Sequence, residues 1–126
     1  MDESAIYPAI GEEGFTRLVA AFYQRVKTDG LLGPMYPAED MEGSEERLRD
    51  FLIYRFGGPD RYTTVRGHPR LRMRHAPFPV DEAAIDRWLA LMQAAMKETG
   101  LHDSPVQPAL WKFFVGTALF MRNKEG

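Results

Sequence analysis

The stretch Phe15-Thr16-Arg17-Leu18-Val19-Ala20-Ala21-Phe22-Tyr23-Gln24-Arg25-Val26 carries the pattern on which the fold class turns. Its apolar members Phe15, Leu18, Val19, Phe22, Tyr23 and Val26 recur at three- and four-residue steps, the spacing that lines one face of an α-helix. The pattern predicts a helix near 12–28, stopped by Asp29-Gly30 and Gly33-Pro34. Tyr36 then stands between Pro34 and Pro37, in a turn from which a helix does not readily continue.

Three more runs further along the chain repeat the helical spacing. Leu48, Phe51, Leu52 and Phe56 predict a second helix, opened by Ser44-Glu45-Glu46, a capping hydroxyl with acids where the helix dipole favours them. Gly57-Gly58-Pro59 ends it. Ile85, Trp88, Leu89, Met92 and Met96 predict a third, capped by Asp81 and stopped by Thr99-Gly100. Ser104-Pro105-Val106-Gln107 reads as a capping box for a fourth, whose buried face would be Leu110, Phe113, Phe114, Thr117, Phe120 and Met121. Pro108 blurs its start. No segment alternates like a strand and no repeat is visible, so the expected fold is all-α with four main helices.

A chain of 126 residues is expected to form a single domain over 1–126. Sixteen basic against eighteen acidic side chains give a net charge of -2, so no global field draws the molecule to nucleic acid or an anionic membrane. The absence of cysteine excludes disulfides, thiolate-bound zinc or iron–sulfur, a cysteine nucleophile and covalent haem attachment. Neither a signal peptide nor an apolar run long enough for a membrane span is visible, so the expected location is cytoplasmic.

Residues 57–80 break the helical pattern with glycines, prolines and the dense block Arg66-Gly67-His68-Pro69-Arg70-Leu71-Arg72-Met73-Arg74-His75. At most a short helical turn fits around 70–76. Connections this long are uncommon in compact domains and are usually functional. Of three histidines, His102 reads as a solvated turn residue, and His68, before Pro69, is as readily structural as anion-orienting. His75 by itself is more often a satisfied, non-ligating residue. Four arginines between 66 and 74 with no acid among them call for an anion, because the guanidinium offers forked, permanently charged donors. A solvated loop paired with acids such as Asp60 answers that requirement most simply. Nucleic acid is disfavoured because no aromatics are interleaved for stacking.

A third reading unites these features. One neutral imidazole beside fixed cations, opposite helices lined by Phe22, Leu48, Phe51 and Met92, suits a noncovalent haem: imidazole to iron, apolar cover for the macrocycle, arginines to the propionates. Tyr23 and Trp88 put polar tips on otherwise apolar faces, and a buried hydroxyl or indole N–H can donate to a bound diatomic. Each element alone also has an ordinary core explanation.

Over essentially its whole length the chain resembles the truncated haemoglobins of group II. The match is carried by Ile10-Gly11 with Phe15, Phe22-Tyr23, Leu32-x-Pro34-Met35-Tyr36-Pro37, Arg47-Leu48-x-x-Phe51-Leu52, Gly57-Gly58-Pro59-x-x-Tyr62, the Arg66–His75 block, Pro77-Phe78 and Trp88-Leu89-x-x-Met92. The resemblance implies a two-over-two helical sandwich around haem b, with His75 as the proximal iron ligand. It makes Tyr23, Tyr36 and Trp88 the distal polar set and brings Arg47, Tyr62, His68 and Arg74 to or near the propionates. Ser44 stands where many globins place a distal histidine, which leaves ligand stabilisation to the tyrosines and tryptophan and opens a short path from solvent. Two departures stand out. Gly11-Glu12, with Gly14 further on, replaces a Gly-Gly pair, so the first corner is expected to differ; Asp29-Gly30 replaces Asp-Pro, and Gly33 adds freedom before Tyr36.

The function implied is reversible binding of O2, and of NO, CO, sulfide or peroxide, with donors that slow O2 release. Sensing, scavenging or redox chemistry fits slow release better than bulk oxygen transport. Peroxidase-like or nitric oxide dioxygenase-like turnover would need a separate reductase, and the resemblance is compatible with a homo-oligomer. The alternative from another class is a haem-free helical module that binds phosphate or acidic partners through Arg66–Arg74.

Overall fold

The structure is a computed structural model that describes residues 3–36, 38–61 and 80–121. Among them there are four α-helices and no strand: α1 (Ile6–Thr28), α2 (Met41–Arg55), α3 (Glu82–Glu98) and α4 (Gln107–Phe120). Short 3-10 turns at Gly33–Met35, Ala38–Asp40 and Leu101–Asp103 connect them. No helix among the described residues is long and apolar enough to cross a membrane.

α1 is two legs joined at a corner. Gly11 is its one non-helical residue, at φ 67° and ψ 178°, a region open to glycine and costly for any residue with a Cβ. The second leg is the helix expected over 12–28. The first, Ile6–Ile10, is too short for periodicity to show and holds Pro8 in its opening turn, where the missing N–H costs nothing. It clasps the end of α2: Tyr7 stacks on Phe15 at 6.3 Å, and Phe15 on Phe56 at 5.9 Å. Glu3 pairs with Arg55 at 2.7 Å, and Glu12 pairs with Arg61. A Cβ on Gly58 would come within 2.7 Å of both Tyr7 and Ile53, so that close approach requires glycine.

α2 begins at Met41, three residues before the expected cap. Ser44 therefore lies inside the helix and does not cap it; its Oγ accepts from Arg47 Nη2 at 3.0 Å. α3 begins as expected, with the Asp81 carboxylate accepting from the Ala84 amide at 2.9 Å. The capping box expected before α4 does not form. A helix starting at Pro105 would need residue 108 to donate to the Ser104 carbonyl, and Pro108 has no N–H. Ser104 instead supports a turn, its Oγ accepting from the Val106 amide at 3.3 Å, and α4 starts at Gln107 with Pro108 in its first turn.

α1 packs against both α2 and α3, and α3 against α4. Phe15, Leu18, Phe22, Met92, Met96, Leu110 and Phe114 are fully buried between them. Phe56 at the end of α2 meets Phe113 of α4 edge-on at 4.9 Å. The buried face of α4 is Leu110, Phe114 and Ala118, with Phe113, Thr117 and Met121 half-buried. Phe120, expected inside, is 62% exposed, because it lies two residues past Ala118 and so roughly on the opposite side of the helix. His102 does sit in a turn, but it is half-buried and its Nδ1 is shielded without a hydrogen-bond partner, unlike the solvated residue expected.

Candidate functional site

Three aromatic side chains with polar tips converge from separate elements. Tyr23 comes from the second leg of α1 and is 4% exposed; Tyr36 follows the Gly33–Met35 turn and is half-buried; Trp88 lies on α3 and is half-buried. The Tyr23 and Tyr36 rings meet edge-on at 5.5 Å. Phe22 joins them to α3, 5.2 Å from Tyr23 and 5.0 Å from Trp88, and Trp88 in turn meets Phe114 at 5.6 Å. The helical period that buries Phe22 at the centre of the core delivers Tyr23 beside it to the cluster.

The hydroxyls interact as well as the rings. Burial first, and then the neighbouring Tyr36, push the Tyr23 hydroxyl well above the ordinary tyrosine pKa. Burial also pushes Tyr36 up, opposed by hydrogen bonding from Tyr23 and Trp88.

Arg47 on α2 flanks this cluster and its charge favours Tyr23 ionisation, a smaller influence than burial. Arg47 Nη2 donates to Asp40 Oδ2 at 2.8 Å and to Ser44 Oγ at 3.0 Å. A Cβ on Gly43 would run into Asp40 Oδ1 and lie 3.2 Å from Arg47 Nη1, so glycine leaves room for this ion pair. Ser44, the small residue expected on the ligand side, is 8% exposed and anchors the arginine.

Of the expected apolar lining, Phe22 and Met92 are fully buried, Phe51 is 9% exposed, and Leu48 packs half-buried at the edge of the core. Tyr62, His68, Arg74 and His75, with the whole Arg66–Arg74 stretch on which the haem-free alternative rests, lie outside the described residues. Sequence reasoning missed Asp40, Gly43, Asp29 and Arg87. Asp29 sits in the dipeptide Asp29-Gly30, which reads as a helix stop, although aspartate in a turn also signals side-chain bonding to nearby amides. Arg87 carries no sequence signal for its partner, 58 residues away.

The model of the bacterial-like globin family matches residues 5–123. The chain is 44% identical over 121 residues to the group 2 truncated hemoglobin YjbI of Bacillus subtilis, a match covering 96% of this chain and 90% of that one. Among solved structures, the group II truncated hemoglobin of Bacillus anthracis superposes with a TM-score of 0.90 at 34% identity, covering 95% of this chain and 92% of the other. The truncated oxygen-avid haemoglobin of Bacillus subtilis gives 0.87 at 40% identity, covering 93% and 98%.

These relatives imply haem b with its iron. The residues described fit that group: Tyr23, Tyr36 and Trp88 are neutral side chains able to donate, and they share one hydrophobic cluster with Phe22, Phe51, Met92 and the half-buried Leu48.

Proposed function

The chain belongs to the bacterial-like globin family as a group II truncated haemoglobin of two-over-two helical fold, and from that premise we propose reversible O2 binding at a haem b iron held by His75, under hydrogen bonds from Tyr36, Trp88 and Tyr23. Bound ferrous haem supplies the metal to which diatomic gases attach in this family. The observation that carries the reading is the Tyr23–Tyr36–Trp88 cluster in apolar surroundings. Tyr36 is a member placed to give a proton to a polar ligand, its ring held edge-on against Tyr23 within the aromatic cluster. Trp88 serves as a second donor through its indole N–H.

Arg47 uses Nη2 for Asp40 and Ser44, and neither contact occupies Nη1 or Nε. Those donors are assigned to a propionate, with Arg74, Tyr62 and His68 as its further partners. Neutral donors beside the ligand favour O2, whose bound form is polarised, over apolar CO, so O2 release is slow. The relative described as oxygen-avid agrees with this. Slow release suits sensing, scavenging or redox reactions with NO, peroxide or sulfide better than bulk delivery, and redox turnover would draw electrons from a separate reductant.

The test is spectroscopic. The full chain mixed with hemin and reduced should show a Soret band and an oxygenated spectrum that reverts on deoxygenation, and His75→Ala should lose or displace that band. No hemin uptake, or an unchanged Soret band in His75→Ala, would overturn the assignment. Stopped-flow mixing of the oxygenated protein with NO, beside peroxide-driven oxidation of a dye, separates the two redox roles.

A further inference from the structure

Tyr36 reaches the cluster from a non-helical connection, and Trp88 from a helix that starts more than forty residues later. Their meeting depends on how that connection is fastened to α3. Both oxygens of one carboxylate are used at the junction. Asp29 Oδ2 accepts from the amides of Leu31 and Leu32 at 3.0 and 2.8 Å, which folds the chain after α1 into a tight turn. The turn continues through Gly33 N to Asp29 O at 3.0 Å, Met35 N to Leu32 O at 2.9 Å and Tyr36 N to Gly33 O at 3.2 Å, so backbone bonds run from Asp29 to Tyr36. Asp29 Oδ1 accepts from Arg87 Nη1 at 2.7 Å, and Arg87 immediately precedes Trp88. The Asp29 side chain is 6% exposed and that of Arg87 49%, so the carboxylate is fixed within the turn while the guanidinium reaches it from the surface of α3. Gly33 adds closeness rather than freedom: a Cβ there would lie 3.0 Å from the Val26 carbonyl oxygen, so glycine lets the connection turn back against the end of α1.

We propose that Asp29 and Arg87 form a clip that holds Tyr36 and Trp88 in their one aromatic cluster, and that both are positioning residues for ligand retention. Neither touches the gas. Asp29 fixes the turn that ends at Tyr36, and Arg87 ties that turn to the helix residue beside Trp88. The proposal rests on the reading of Tyr36 and Trp88 as ligand donors and extends it to residues that act through them. A charge-assisted hydrogen bond with one immobile partner is the kind that holds a geometry as well as a contact.

The test uses the full chain loaded with haem. Arg87→Met removes the charge and keeps the stem; Asp29→Asn keeps an oxygen for the Leu31 and Leu32 amides and removes the charge; Arg87→Lys restores a cation. Tyr36→Phe and Trp88→Phe provide the reference. Three readouts are taken: O2 release, the infrared C–O stretch of the CO complex, which reports the polarity around the ligand, and amide exchange at Leu31, Leu32 and Tyr36. Expected are O2 release about three- to tenfold faster in Arg87→Met and Asp29→Asn, the scale of losing one partly exposed charged hydrogen bond, a C–O stretch displaced towards that of Trp88→Phe, and faster exchange at Tyr36. Arg87→Lys should restore most of each, and the double variant should add little to either single one. If Tyr36→Phe and Trp88→Phe move release and stretch while the Arg87 and Asp29 variants leave both at parental values, the clip is refuted and the donor reading stands. If Tyr36→Phe and Trp88→Phe themselves change neither, the donor reading fails and the clip falls with it.

Discussion

Replacing Gly11 by alanine should separate backbone strain from packing at the corner of α1. The residue sits at φ 67° and ψ 178°, and an added Cβ would meet no atom within 4 Å. The cost is therefore conformational alone: about 1–3 kcal/mol for holding alanine in a region nearly reserved for glycine. It is offset by about 0.4–1 kcal/mol from the reduced freedom of the unfolded chain. A net loss of about 1–2 kcal/mol follows, which at a urea dependence of about 2 kcal/mol per molar lowers the unfolding midpoint by about 0.5–1 M. Gly116 provides the control of opposite sign. It lies within α4, its added Cβ also meets nothing, and Gly116→Ala should stabilise by about 0.5–1 kcal/mol. The assay is urea unfolding followed by far-UV ellipticity at equal protein and hemin concentrations, because any ligand of the folded state shifts the midpoint. A Gly11→Ala midpoint equal to the parent's would refute the corner as a strained, glycine-dependent joint. So would equal destabilisation by Gly11→Ala and Gly116→Ala.

Asp81→Ala should cost about 1 kcal/mol of stability through loss of the bond from the Ala84 amide, and Asp81→Ser most of a kcal/mol less, measured by the same unfolding. Phe114→Ala should cost about 3–5 kcal/mol as a cavity in the core, whereas Phe120→Ser, at a position 62% exposed, should change stability by less than about 0.5 kcal/mol. The Leu32 amide foremost, with Arg87, holds the Asp29 carboxyl below the usual carboxylate range. Because its folded-state pKa is depressed, Asp29 adds stability that is fully present above the unfolded-state value of about 3.9 and is lost as pH falls through the folded value. Unfolding midpoints against pH should therefore fall less steeply on the acid side in Asp29→Asn.

The four helices were legible because each buries apolar residues at three- and four-residue steps: Phe15 to Val26, Leu48 to Phe56, Ile85 to Met96, and Leu110 to Phe114. What failed was local. The leg Ile6–Ile10 is shorter than two turns, so its helix leaves no periodic trace, although the glycine that ends it was visible in the Ile10-Gly11 match to the family pattern. The Ser104 capping box was a correct motif in the wrong place, excluded by a missing N–H four residues on at Pro108. Phe120 continues an apolar run but not the face set by Leu110, Phe114 and Ala118. At the candidate site, Tyr23, Tyr36 and Trp88 were found as residue types, and the structure adds that they join one aromatic cluster, the tyrosines in direct contact and Trp88 linked to them through Phe22. The Asp29–Arg87 and Asp40–Arg47 pairs were invisible because contacts between polar residues on different elements leave no pattern along the chain.

The most direct test of the account is a comparison of O2 and CO release from the haem-loaded protein before and after Trp88→Phe. Loss of a donor to a polarised ligand should speed O2 release by about ten- to a hundredfold, corresponding to about 1.5–3 kcal/mol, while CO release changes by less than about threefold. Equal acceleration of both gases would mean that Trp88 only blocks their escape, and unchanged O2 release would contradict the proposed role of the cluster in holding the ligand.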